Sequence, residues 1–223
     1  MADEWRVAHV ERVPREDVDA ARTLAAATLH EAYGQRGALD PAIRQMAPRL
    51  DVCGPAFTVR CQSGDNLTLH AAVAHANPGD VLVADVGDFV DAGHWGEILT
   101  VAATSREIGG LVINGGVRDV AALGTWRFPV FARGISMKAT TKRIRGLINH
   151  PVVCGGVEIH PGDLIVGDAD GVVAVARTSV SEVIALGRER ETREARLMER
   201  LRQGELTLDM LGLRSLLDPG ASP

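Results

Sequence analysis

The chain reads as an α/β protein. From about Ala76 onward it alternates between strand and helix signals, and two of its strand regions are near copies, PGDVLVADVGD (Pro78 to Asp88) and PGDLIVGDADG (Pro161 to Gly171). Each copy is a Pro-Gly-Asp turn, an apolar strand and an acidic, glycine-rich exit, so the two predict equivalent strands of one fold. Hydrophobic residues make up 46% of the 223 positions, ample material for a core.

The elements follow in order. Asp17 to Tyr33 predicts a helix closed by Gly34, and Val52 to Cys61 predicts a strand. Gly64-Asp65-Asn66 predicts a turn into a helix reaching about Ala76. Glu97 opens a further helix, with apolar or small residues from Ile98 to Ala103, and Gly109-Gly110 is expected to end it in the left-handed conformation that glycine tolerates. Leu111 to Ile113 reads as a buried parallel strand, which Asn114-Gly115-Gly116 is expected to break. From Ser179 the chain predicts a long amphipathic helix to about residue 203. Ser179-Val180-Ser181-Glu182 has capping-box spacing, Val183, Ile184, Ala195, Met198 and Leu201 form an apolar stripe, and Arg and Glu stand within i to i+4 reach. That helix either lies on its own domain or packs across a subunit interface. No Pro/Ser-rich or low-complexity linker divides the chain, so one domain over 1–223 is expected, with a core of about 17–178 and the terminal helix at about 179–203.

Several classes are disfavoured. No apolar run reaches the length of a membrane span and the amino terminus is charged from its start, so a cytoplasmic protein without membrane attachment is expected. The net charge of −5 and 4% aromatics do not make a nucleic-acid surface. Cys53, Cys61 and Cys154 are scattered without Cys-x-x-Cys spacing and read as buried small hydrophobes. Gly-x-Ser-x-Gly, a Walker sequence and Gly-x-Gly-x-x-Gly are all absent. The only lysines, Lys138 and Lys142, lie in the polar stretch SMKATTKRIR, which argues against a Schiff-base mechanism.

The chemistry concentrates at Glu97, followed by twenty residues and then Arg118-Asp119. Arg118-Asp119 sits just past the carboxyl end of a strand, where open α/β sheets collect ligands. Arg-Asp alone is an ordinary surface ion pair; the glycine turn before it, where backbone approaches a ligand closely, favours a site. Glu97 is also a favourable anion at a helix amino terminus, and the free first-turn amides of Ile98 and Leu99 suit a substrate carboxylate. One carboxylate ligand with several retained waters suits Mg²⁺ or Mn²⁺ rather than Zn²⁺. His70 and His75 are five apart, about 140° around a helix, so they cannot share a metal and read as structural. His94 and Trp95 flank the cleft either as loop packing or as substrate contacts.

The segment GHWGEILTVAATSREIGGLVINGGVRDVAAL, together with GDNLTLH, PGDVLVAD, FPVFARGIS and PGDLIVGDADGVV, resembles the RraA-like family from about Asp17 to Leu213. The family includes divalent-metal-dependent 4-hydroxy-4-methyl-2-oxoglutarate and 4-carboxy-4-hydroxy-2-oxoadipate aldolases. Its most specific element, an acidic residue, twenty positions and Arg-Asp, separates catalytic members from relatives that inhibit ribonuclease E, and it is complete here.

The resemblance implies a β/β/α sandwich of the swivelling-domain type, assembled as a homotrimer or homohexamer with sites between subunits. It implies that Asp119 ligates Mg²⁺ or Mn²⁺, that Arg118 binds the keto oxygen of a small 2-oxo acid, and that Glu97 holds metal-bound water. Gly96 and the amides of Ile98 and Leu99 would contact the substrate, the amides taking its carboxylate. An acidic residue of the neighbour's terminal helix would also enter the site; Glu194 is best placed, with Glu191 and Glu199 close by. Asn114 departs from the Asp that many members carry, which changes hydrogen bonding beside the site but not the metal ligand. The implied reaction is retro-aldol cleavage to pyruvate, with oxaloacetate decarboxylation through the same enolate; the alternative is a regulator of ribonuclease E.

Overall fold

A computed structural model describes residues 5–47 and 50–217. In chain order the elements are α1 (Arg15–Ala21), α2 (Ala26–Ala32), β1 (Arg44–Gln45), β2 (Val52–Arg60), α3 (Leu67–His75), β3 (Val81–Asp85), α4 (Glu97–Thr104), β4 (Gly110–Val117), α5 (Val120–Thr125) and β5 (Val130–Ile135). There follow β6 (Leu147–Ile148), β7 (Val152–Cys154), β8 (Val157–Ile159), β9 (Leu164–Gly167), β10 (Val172–Val175), α6 (Val180–Arg202) and α7 (Thr207–Met210).

The main sheet runs β1-β5-β4-β3-β2-β9-β10, with β6 also on β2, and β7-β8 forms a separate hairpin. Strands β2 to β5 are parallel neighbours; on the other side of β2 from β3, β9 pairs antiparallel with its first half, Pro55 facing Leu164, while β3 pairs with its second half from Ala56 opposite Val81. The two Pro-Gly-Asp copies therefore flank one strand. Both turns are built alike. Gly79 (φ 83°) and Gly162 (φ 87°) occupy the left-handed position of a type II turn. The Asp80 and Asp163 amides close the turns on Asn77 and His160, and each Asp carboxylate accepts the amide of that same residue at 2.9 Å.

Alternation along the parallel strands divides the core. Leu82, Ala84, Leu111, Ile113 and Ala132 face Leu69, Val73, Leu99 and Leu123 of the helices. Val81, Val83, Val112 and Phe131 face the other way, against Val152, Cys154 and Ile159 of the hairpin. The layers thus run β, β, α, as the family resemblance implies, and each fully buried Leu, Ile or Val contributes about 1.5–3 kcal/mol. The three cysteines are buried, and burial pushes the thiols up to about 11 for Cys53 and about 12 for Cys61 and Cys154. Among the described residues no helix is long and apolar enough to cross a membrane.

Several local expectations need correction. The helix predicted from Asp17 to Tyr33 is two, because Thr23 Oγ turns back to Ala20 O and the amide of Ala26 is taken by Asp168 Oδ2 at 2.8 Å, a partner distant in sequence. The helix opened by Glu97 ends at Thr104, and Glu107 (φ 59°), not Gly109-Gly110, takes the left-handed position, with the Ile108 amide returning to Ala103 O. Gly109 is needed for contact instead: a Cβ there would lie 2.8 Å from Gly79 O. The Ser179 side chain makes no cap hydrogen bond, and Ser181 Oγ donates to Asp17 Oδ2. Finally, α6 packs only through its first half, burying Val180, Val183, Ile184 and Gly187, while Ala195 and Met198 are exposed and Leu201 is only partly covered.

Candidate active site

Strand β4 does not stop at Asn114. It runs to Val117, with an irregularity against β5 between Ile113 and Gly116. Gly115 and Gly116 belong there because the loop from Val86 to Trp95 lies directly on them: added Cβ atoms would meet Val86 Cγ2 at 2.1 Å and Ala92 O at 2.6 Å. The loop is stitched to the strand by Gly116 N to Phe89 O (3.1 Å), His94 N to Gly116 O (2.9 Å) and Arg118 N to Trp95 O (2.8 Å). Segments twenty residues apart in sequence are thereby laid side by side.

Trp95 fixes where α4 begins. It is fully buried, stacked 5.7 Å from Phe128, and its Nε1 donates to Thr100 Oγ, which in turn donates to Gly96 O. His94 is equally buried. The Gly64 amide donates to its Nε2 at 3.0 Å, so the proton is assigned to Nδ1, facing Gly116 O at 3.3 Å, and burial lowers its pKa. A neutral ring bonded on both sides is not a general base; both residues pack the loop.

On this frame the predicted residues converge. Asp119 adopts the left-handed conformation (φ 57°, ψ 34°), which a short polar side chain tolerates. Its Oδ2 accepts the Glu97 amide at 3.1 Å and lies 3.5 Å from Arg118 Nε, while Oδ1 makes no hydrogen bond among the described residues. The Glu97 carboxylate accepts Trp126 Nε1–H at 3.0 Å through Oε1. The amides of Ile98 and Leu99, in the first turn of α4, have no protein acceptor among the described residues. Arg118, Gly96, Ile98 and Leu99 line a cleft of about 80 Å³. Gly96 and Gly93 make the close fit possible: a Cβ would fall 2.4 Å from Asp119 Oδ2 at the first and 2.8 Å from Arg118 Cβ at the second.

Asp119 offers one free carboxylate oxygen, and no group of three or more His, Cys, Asp and Glu side chains that could hold a metal occurs among the described residues. That donor set fits Mg²⁺ or Mn²⁺ held largely by water and does not fit zinc. Glu194 is not brought to the cleft; it pairs with Arg190 at 2.8 Å, and Arg190 also reaches Glu31 of α2 at 3.0 Å. Asn114, 4% exposed, accepts Arg133 Nε at 2.7 Å, and Arg133 is further held by Asp40 at 2.9 Å.

The cleft is also lined by Asn66, which the sequence reading places only in a turn, by His70, which it reads as structural, and by Lys142, which it sets aside as lying in a polar stretch. Asn66 is buried, its Nδ2 bound to His94 O, and its Oδ1 has no partner among the described residues. An unpaired buried acceptor facing a cleft suits a ligand hydroxyl. The signal for the first two is their spacing: Asn66 and His70 are four apart and share a face at the start of α3, whereas His75 lies edge-on to Trp5. Lys142 carries no such signal, because only the fold returns its loop to α3.

That return depends on Asp65, 1% exposed, whose carboxylate accepts Thr141 Oγ (2.6 Å) and the amides of Leu67 (2.9 Å), Arg143 (2.7 Å) and Ile144 (3.3 Å). Burial acts to raise its pKa, but these donors outweigh it and the net shift is downward. A lowered folded pKa gives stability present in full above the unfolded value of about 3.9 and lost as pH falls through the folded one. Asp65→Asn, which sets an NH₂ against donors, is expected to cost about 2 kcal/mol. Melting curves between pH 3 and 7 check this: the variant should melt lower at pH 7 and lose less on acidification than the wild type.

The fold and site define a β/β/α protein with an arginine–carboxylate pair beside a cleft at the carboxyl end of a parallel sheet. Residues 18–174 match the RraA-like (Aldolase/RraA) family model, and the chain belongs to that family. It is 33% identical over 202 residues, 91% of this chain and 94% of the relative, to a Halalkalibacterium halodurans protein named "Putative 4-hydroxy-4-methyl-2-oxoglutarate aldolase". Among solved structures it is similar to an uncharacterized Pseudomonas syringae protein (TM-score 0.83, 30% identity, 92% of this chain and 97% of that one). It is also similar to the RNA-processing inhibitor RraA from Thermus (TM-score 0.63, 25% identity, 67% and 91%).

Proposed function

We propose that this protein is a divalent-metal-dependent lyase that cleaves 4-hydroxy-2-oxo acids, such as 4-hydroxy-4-methyl-2-oxoglutarate, to pyruvate, and that decarboxylates oxaloacetate. The observation that carries the proposal is that Arg118 and the residues bearing the unpaired Ile98 and Leu99 amides line one cleft, while Asp119, with Oδ1 unpaired, is held against Arg118 and the Glu97 amide. The named aldolase relative supports the same reaction class.

Mg²⁺ or Mn²⁺ on Asp119 would supply Lewis acidity toward the keto oxygen. The chain's own groups do the rest. The Ile98 and Leu99 amides receive the C1 carboxylate at the positive end of α4. Arg118, with Nε turned to Asp119, has its remaining N–H groups for the keto oxygen, where negative charge develops in the transition state. Glu97, with Oε1 occupied by Trp126, presents Oε2 as proton acceptor, reached through a water. As the C4 hydroxyl loses its proton, its oxygen becomes a carbonyl, the C3–C4 bond breaks, and the bonding pair becomes the enolate of pyruvate. Protonation at C3 then completes the product. With oxaloacetate, loss of CO₂ from C4 leaves the same enolate.

Ile98, which lines the cleft, is exposed (75%), and so are Met137 (91%) and Ile135 (63%) on the segment whose Lys138 carbonyl accepts the Gly93 amide. A second copy of the chain covering these exposed apolar side chains, within a trimer or hexamer, would remove them from water. Glu194 serves the site, in this reading, from the neighbour's α6.

The likeness to an RNA-processing inhibitor supports a second reading, a regulator that binds a ribonuclease. Pyruvate release from oxaloacetate with and without Mg²⁺, alongside thermal melting with Mg²⁺ plus pyruvate, separates the two. A lyase should need the metal and melt higher with both ligands, since binding to the native state raises stability. No turnover and an unmoved midpoint would favour the regulator.

A further inference from the structure

We infer that Trp126 is a positioning residue for Glu97, and that α5 is the strut through which the metal ligand and the proton acceptor are held in one geometry. This rests on the lyase reading above. Asp119 is the residue that opens α5, and Trp126 closes it. From its far end the indole Nε1–H reaches back across to α4 and donates to Glu97 Oε1 at 3.0 Å, while the Glu97 amide donates to Asp119 Oδ2 at 3.1 Å. The chain thus closes a ring, Asp119 to α5 to Trp126 to Glu97 and back to Asp119.

The ring matters because nothing else restrains the Glu97 carboxylate. The residue is exposed, and its side chain makes no other hydrogen bond or ion pair among the described residues. A glutamate with three free torsions at a helix start samples many rotamers. One donor on Oε1 selects a rotamer and designates Oε2 as the oxygen that acts. Trp126 itself is 40% exposed, in contrast to Trp95, which is fully buried on Phe128. A tryptophan left this open is not explained by core packing, whereas its N–H has a partner. Arg127, directly after it, turns the chain with φ 51°, which ends α5 where the indole can reach back.

The test is a double-mutant cycle of Trp126→Phe, which keeps an aromatic ring but removes the N–H donor, and Glu97→Gln, which keeps the side-chain size but removes the charge. Trp126→Phe should lower kcat for pyruvate release roughly 10- to 100-fold, the cost of a misplaced catalytic group, with KM within about 2-fold and an unchanged melting temperature. In the Glu97→Gln background the same substitution should lower kcat by less than about 2-fold, because Trp126 acts only through the carboxylate. Metal-free protein supplies a second readout: Glu97→Gln should shift tryptophan emission when Trp126 is present and leave it unshifted in Trp126→Phe.

Equal losses in both backgrounds, full activity in Trp126→Phe, or an emission shift that survives Trp126→Phe would each overturn the assignment. If the lyase reading itself fails, Glu97→Gln will leave pyruvate release unchanged, while the emission arm still reports whether the two side chains are coupled.

Discussion

Asp119→Asn is expected to lower Mg²⁺-dependent pyruvate release by more than about 100-fold while the protein melts normally. The substitution exchanges an anionic oxygen for a neutral one beside Arg118, on a side chain whose other oxygen is already engaged by the Glu97 amide at 3.1 Å. Metal affinity depends on that charge, and loss of even a supporting partner around a metal commonly costs 10- to 100-fold. The stabilisation of the wild type by Mg²⁺ plus pyruvate should vanish with it. Arg118→Ala is expected to cost about 10²–10³-fold in kcat, as for removal of one donor to a developing oxyanion. Arg118→Lys should recover little, since a point charge does not reproduce a planar fork held beside Asp119. Steady-state assays on oxaloacetate, with circular dichroism as the control, check these values; undiminished rates in both Asp119→Asn and Arg118→Ala would remove the site from consideration.

Gly96→Ala should be nearly as damaging, for a different reason. The backbone there is extended (φ −158°), so alanine brings no conformational strain and the fold should survive. The added methyl, however, would stand 2.4 Å from Asp119 Oδ2 and 3.0 Å from Arg118 Cγ. Both side chains must move, and displacement of about 1 Å at a reacting centre can cost about 100-fold. The expected result is a loss of about two orders of magnitude in kcat/KM with the melting temperature within a few degrees of wild type. A fully active Gly96→Ala would show that Asp119 and Arg118 do not work from the positions they hold here.

Much of this was legible beforehand. The strands at Val81–Asp85 and Leu164–Gly167 announce themselves because Pro-Gly-Asp turns are local chemistry: proline presets one torsion, glycine takes the positive φ without a side-chain clash, and the aspartate returns to its own turn. Helix α4 is equally local, with Glu97 at its start. Less legible were features whose cause lies elsewhere in the chain. Nothing near Ala25 says that Asp168 will cap α2, and nothing near Glu107 says that a glutamate will take the left-handed position while Gly109 is reserved for contact with Gly79 O.

The same division runs through the site. Residue type and spacing in a linear chain suffice for the kinds of group present, an acidic residue and an Arg-Asp pair at strand and helix ends, because propensity and periodicity act within a few residues. Which atoms are free and which are engaged required the folded backbone. Only the Val86–Trp95 loop lying on Gly115 and Gly116 sets the Glu97 amide against Asp119 Oδ2, turns His94 into a neutral packing group, and leaves Asp119 Oδ1 unpaired. Asn66, His70 and Lys142 join the cleft for the same reason, since Asp65 binds a loop almost eighty residues away. Hydrogen bonds between distant segments are decided by packing, and packing is a property of the whole chain at once.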